Sequence, residues 1–208
     1  MWFAGSRLAA VEPPRPRRAR AVLPLLFGIL VTLLVGCGRT LESADKPIDQ
    51  ELYQQILATL RQEEFIKMAS HFRTKAEIDR YLGQKRAAVY HVATAEEDGK
   101  LYDDFRPADT SVCNGFTLVY DPKDKRLVEI GAGLAESLGS KVEPLLDQAL
   151  VKIPQKTEPP YLARQVYEFG YVPLADRRIA IAVEKFVLPK HTLYGMLYRI
   201  EPATGGKE

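Results

Sequence analysis

A thiol within reach of an imidazole makes a nucleophile with its base. This chain has Cys113 and three histidines, His71, His91 and His191, in its polar portion. A Cys113–His91 pair requires adjacent strands, and no local motif demands it. No two histidines have the spacing of a helical or finger-type metal site, so each reads as a surface or satisfied core histidine. Glu96, Glu97, Asp98, Asp103, Asp104 and Asp109 concentrate carboxylates. The alternating aspartates of a calcium loop are missing, and the run reads as solvated hairpin charge. Gly131-Ala132-Gly133 falls between an expected strand and an expected helix. A phosphate cradle there would need a further glycine and a lysine-threonine ending, so the reading is a tight strand-to-helix turn. No catalytic residue, metal ligand or cofactor is assigned. The expectation is a non-enzymatic protein, with a hydrolase using Cys113 or a histidine as the open alternative.

Aromatic residues are the stronger signal. Tyr161, Tyr167, Phe169 and Tyr171 share one parity, and alternate residues of a strand share a face. Tyr194, Met196, Tyr198 and Ile200 share another. Either set fills a core or lines a binding face or cavity, because tyrosine couples apolar area to a hydroxyl. The first set is the candidate binding face.

Cys37 stands in a different setting. Arg7, Arg15, Arg17, Arg18 and Arg20 precede an apolar run of 14 residues, Val22 to Val35, and Gly36-Cys37 follows it. A membrane-spanning helix needs about 20 apolar residues, and runs of about 10–14 serve as signal cores. Leu34-Val35-Gly36-Cys37 resembles the lipobox of bacterial lipoproteins. The resemblance covers residues 1–37. It implies cleavage between Gly36 and Cys37 and lipid attachment at Cys37, on the sulfur and on the new amino group. It implies an exported protein held to the membrane by that lipid. Gly38 in place of aspartate is similar to outer-membrane sorting, facing the periplasm of a Gram-negative cell.

Those residues divide the 208-residue chain into a signal peptide (1–36), a lipidated tether (37–46), one domain (47–203) and a flexible tail (204–208). Without 1–36 the chain has 24 basic and 26 acidic residues, a net charge of −2, which argues against a nucleic-acid partner. With Cys37 lipidated, Cys113 has no internal disulfide partner, and packing must supply the stability.

Within the domain, Ile48, Leu52, Ile56 and Leu60 recur every four residues, and the stripe continues through Phe65, Met68, Ala69 and Phe72, predicting a helix from about Pro47 to Phe72. Thr74-Lys75-Ala76-Glu77 fits a capping box that opens a second helix ending near Gly83. Strands are expected over about 87–95 and 100–106 around an Asp98-Gly99 turn, and over about 116–121 and 126–130. A helical region from about Leu134 to Ile153, broken near Gly139 and Pro144, precedes three long strands over about 161–172, 178–187 and 192–200. The expected fold is α+β, with N-terminal helices packed on a curved, largely antiparallel sheet and a helical segment between two groups of strands. The expected role is binding or scaffolding at the cell envelope, with an envelope protein as a possible partner. A carrier or sensor with an aromatic-lined cavity for a small molecule or lipid is the other alternative.

Overall fold

Asp49 starts the first helix by capping it. Its Oδ1 accepts hydrogen bonds from the backbone N–H of Glu51 (2.9 Å) and Leu52 (3.1 Å). The structure, a computed structural model, describes residues 46–203 except 86, 87 and 158. The signal segment, Cys37, most of the tether and the tail lie outside the described residues.

Helix α1 (Gln50–Leu60) buries Leu52, Ile56 and Leu60, the residues of the four-residue repeat. The single long helix expected here is in fact two. Arg61 takes a left-handed conformation (φ +53°), and α2 (Glu63–His71) begins after Gln62. The break is built around the fully buried Gln62, whose Nε2 donates to the Leu60 carbonyl at 2.8 Å and whose Oε1 accepts from the Tyr198 hydroxyl at 3.2 Å. Helix α3 (Lys75–Gly83) opens on the expected capping box, both halves of which form between Thr74 and Glu77.

Eight strands make one sheet: β1 (Val89–Glu97), β2 (Lys100–Pro107), β3 (Cys113–Tyr120), β4 (Leu127–Leu134), β5 (Val151–Gln155), β6 (Ala163–Pro173), β7 (Arg177–Val187) and β8 (Thr192–Pro202). Their spatial order is β1-β2-β3-β4-β8-β7-β6-β5, with every neighbouring pair antiparallel. Two four-strand meanders therefore join through β4 and β8. The fold is α+β. Asp98 (φ +50°) and Gly99 (φ +69°) turn the β1–β2 hairpin as the Asp-Gly signal predicts.

Three expectations in the middle of the chain are corrected. Gly131-Ala132-Gly133 is no strand-to-helix turn. It lies inside β4, where Gly131 pairs with Leu197 and Gly133 with Gly195. The helical region shrinks to a 3-10 turn (Glu136–Leu138) and α4 (Gly139–Leu146), which holds Pro144 inside it instead of breaking there. Val151 to Ile153, read as helix, begins β5 and pairs with β6. Pairing between strands distant in sequence overrides the local glycine signal in β4.

One face of the sheet carries the main core. Leu118, Ile130, Ile181, Val183, Met196 and Tyr198 belong to one buried cluster with Ile56, Leu60, Phe65, Met68, Val142 and Leu145 of the helices. The Phe65 ring lies 5.3 Å from that of Phe116 and 6.3 Å from that of Tyr198. Residues of opposite parity form separate small clusters, Val166 with Ala182 and Leu197, and Tyr102 with Val119.

Candidate functional site

The four aromatic residues of the expected binding face do not share a face. Tyr167 pairs with Val183, and Tyr171 pairs with Ala180, because a bulge between Glu168 and Gly170 inserts one residue. An extra residue reverses the parity beyond it. Tyr167 and Phe169 (1% exposed) join the main core. Tyr171 turns to the other side, where the Arg178 guanidinium lies 4.8 Å from its ring centroid. Tyr161 precedes β6, and its ring sits 5.4 Å from Phe186, which has the parity of Ala182. Gly170 makes the bulge possible. Its φ is +113°, and a Cβ there would stand 2.7 Å from the Lys46 carbonyl oxygen. The second aromatic set keeps its parity: Tyr194, Met196 and Tyr198 are in the core, and Ile200 packs against it.

Cys113 and His91 are not assembled into a nucleophile pair. Cys113 is buried, its thiol donates to the Gly115 carbonyl at 3.0 Å, and burial pushes its pKa up to about 12. His91 stands half exposed on edge strand β1, its Nε2 3.0 Å from Thr94 Oγ1 and 3.6 Å from Asp103 Oδ1. His71 Nδ1 lies 3.0 Å from the Lys67 carbonyl oxygen on its own helix, and His191 is exposed in the β7–β8 turn.

The acidic run is dispersed. Asp103 is fully buried and takes Lys75 of α3 as its ion-pair partner, with the Thr94 hydroxyl donating to it at 2.6 Å. Its neighbour Asp104 has the opposite parity and accepts from the Thr117 hydroxyl at 2.5 Å. Asp109 caps the Ser111 N–H at 2.9 Å. Among the described residues no group of three potential metal ligands converges.

The face opposite the main core holds the charges instead. Arg164 pairs with Glu184, both almost fully buried. Arg199 pairs with Glu168 at 2.7 Å, and Arg178 with Glu201 at 2.7 Å. Burial pushes the Glu184 carboxyl up to about 7 against the pull of Arg164. Glu129, paired with Arg199 in the sheet register, is raised as well, by burial first, with Lys100, Arg199 and Arg164 opposing. A pocket of about 270 Å³ opens beside it, lined by Gly99, Lys100, Val128, Glu129, Arg199 and Glu201 among others.

Sequence reasoning missed Lys100, Glu129 and Arg199. The available signal was the alternation of charge with apolar residues in Arg164-Gln165-Val166-Tyr167-Glu168 and Tyr198-Arg199-Ile200-Glu201. Such alternation ordinarily marks a strand with one face in water. Here the second face is charged and largely buried.

Comparison with family models, with curated proteins and with solved structures finds no match for this chain. Among the described residues the arrangement offers paired and unpaired charges around a pocket, and no assembled nucleophile with its base.

Proposed function

We propose that this chain is an exported bacterial lipoprotein, held to the envelope membrane through lipid on Cys37, whose α+β domain binds or scaffolds without catalysing a reaction. The observation that carries the reading is the sequence of a basic flank, a 14-residue apolar run and Leu34-Val35-Gly36-Cys37. Two structural facts support it. Among the described residues no helix is long and apolar enough to cross a membrane, which says nothing of strands. The thiol of Cys113 is buried and its pKa is raised, an environment that suppresses thiolate chemistry.

The finer architecture belongs to the same proposal: α1 to α3 lie on one face of a curved sheet, as the contacts of Phe65 with Phe116 and Tyr198 support. The nine residues from Gly38 to Lys46 reach at most roughly 30 Å, so the domain stays close to its membrane. Gly38 favours the outer membrane.

The test is metabolic labelling with a radioactive fatty acid in a bacterial host. The wild-type chain incorporates label and Cys37→Ser does not. Replacing residues 1–37 by an ordinary cleavable signal releases a domain that stays in the supernatant after a high-salt wash. An unlabelled wild type, or a released domain that still pellets with membranes, overturns the tether reading.

A further inference from the structure

On the charged face each of three carboxylates has its own arginine: Glu168 has Arg199, Glu184 has Arg164, and Glu201 has Arg178. Glu129 breaks this pattern. Among the described residues its carboxylate has neither a hydrogen bond nor an ion pair, although it lies in the pocket with Lys100 and Arg199. Lys100 lines the same pocket from the start of β2, and its ammonium is likewise without a hydrogen bond or ion pair among the described residues. Glu129 and Lys100 thus share one pocket without meeting at contact distance, in a lining that also carries the carboxylates of Asp121 and Glu201. A third group packs against the pocket wall without lining the pocket itself. The Tyr102 hydroxyl is buried without a partner among the described residues, and its ring packs with Val119 and against Val128 of the pocket wall. A buried, unmade hydrogen bond of this kind costs stability unless a ligand or water completes it.

We propose that this pocket binds a small zwitterion of the aminoalkyl phosphate class, its ammonium on Glu129 and its phosphate on Lys100. The two-carbon link of such a molecule holds its charges apart, so each meets its own partner across the pocket. Arg199, already paired with Glu168, also stands on the wall, and charge-assisted contacts of this type are the strong ones. Burial raises the Glu129 carboxyl, and an ammonium beside it would bring it back down, so binding and ionisation support each other.

The same chemistry has two sources, the headgroup of an ethanolamine phospholipid and a free aminoalkyl phosphate. The place of the pocket makes the headgroup accessible. Pro47, where the chain enters the fold, bridges to Tyr171. Tyr171, Ala180, Arg199 and Glu129 stand in one row across β6, β7, β8 and β4. The entry point and the pocket are therefore three strand spacings apart, roughly 15 Å. This step alone rests on the lipoprotein reading; the zwitterion site does not.

The full chain, purified in detergent micelles, is titrated with O-phosphoethanolamine in a calorimeter. The expected result is saturable binding that weakens at least tenfold in Glu129→Gln and in Lys100→Met, each with an unchanged far-ultraviolet spectrum. Lys100 lies in an exposed hairpin, so its variant keeps the test open if Glu129→Gln fails to fold. No binding by the wild type overturns the site, and so does equal binding of ethylamine, which lacks the phosphate. Micelles doped with phosphatidylethanolamine assign the source. A rise in the thermal midpoint of wild type but not of Glu129→Gln assigns the headgroup, and an unchanged midpoint with intact binding of the soluble probe assigns the free compound. The intact mass of the same preparation reports lipid on Cys37 separately, so the anchor and the pocket stand or fall apart.

Discussion

The two faces of this sheet are built from opposite materials on the same strands. On β7, Ile179, Ile181 and Val183 enter the apolar core, while Ala182, Glu184 and Phe186 between and beyond them face the other way. On β8, Met196 and Tyr198 are core, and Arg199 next to them is an ion-pair partner. Both faces are largely dry, with Val183 at 0% and Glu184 at 1% exposure. The difference lies in what happens when a group is removed. An apolar face loses area and gains a cavity, and it adjusts in proportion. A charged dry face loses a partner, and the charge left behind is strongly unfavourable. Hydrophobic pairs of similar volume often stabilise as well as buried ion pairs. The arginines and glutamates of this face therefore call for a reason beyond stability, and the charged pocket next to them supplies one.

Breaking one ion pair should give the largest effect. Arg164→Met strands Glu184 and should cost about 4 kcal/mol in urea unfolding, whereas Arg164→Met combined with Glu184→Leu should return to within about 1 kcal/mol of wild type or exceed it. A double variant as unstable as the single one breaks the comparison. The pH dependence sharpens it. The folded Glu184 carboxyl titrates at about 7, above its unfolded value of about 4.3. The folded state binds the extra proton, so this contribution is full below about pH 4.3 and is lost as pH rises to about 7. Glu129, also raised, acts in the same sense. Urea midpoints measured across that window should fall with rising pH in wild type and fall less in Glu184→Gln.

On the apolar face, Leu118→Ala removes a fully buried side chain and should cost about 3 kcal/mol. Between the faces stands Gly170, whose bulge decides which aromatic goes where. Gly170→Ala meets both a positive φ and the Lys46 carbonyl, and should cost about 2 kcal/mol by thermal unfolding. A neutral result would mean that the entry segment at Lys46 to Ile48 moves freely away from β6.

The contrast between the faces also explains what was legible beforehand. The helix start at Thr74 and the Asp98-Gly99 turn were readable, because each depends on a few adjacent residues. The first helix, expected from about Pro47 with Asp45 as its cap, instead begins at Gln50 with Asp49 as its cap. The long strands β6, β7 and β8 were readable within a residue or two, because eleven alternating residues outweigh local noise. What failed depended on partners far away in the chain. Gly131 to Gly133 resembles a turn until β8 is placed beside it, and five residues of β5 have no signal apart from β6. The split of Tyr161, Tyr167, Phe169 and Tyr171 turned on one inserted residue, which parity counting along a single strand does not reveal. The pocket residues were hidden for the same reason: Lys100, Glu129 and Arg199 come from three strands and look like ordinary solvent-facing charges until the sheet assembles.

Cys113 supplies the smallest test and the one most specific to the apolar face. Its side chain belongs to the main core, and its only described hydrogen bond is the weak one to the Gly115 carbonyl. If the residue matters only through packing, Cys113→Ala should cost about 1 kcal/mol, the scale of a small core truncation, and leave binding of O-phosphoethanolamine unchanged. Cys113→Ser keeps a donor for Gly115 but buries a hydroxyl in an apolar cluster, so it should be the less stable of the two. A thiol at about 12 is almost entirely protonated at neutral pH, so native protein should react with a thiol reagent only as fast as it opens. Comparing labelling rates in native protein and in urea measures that opening directly. Rapid native labelling, or a serine variant as stable as wild type, would place Cys113 in a wetter and more polar setting and erase the difference between the two faces at this position.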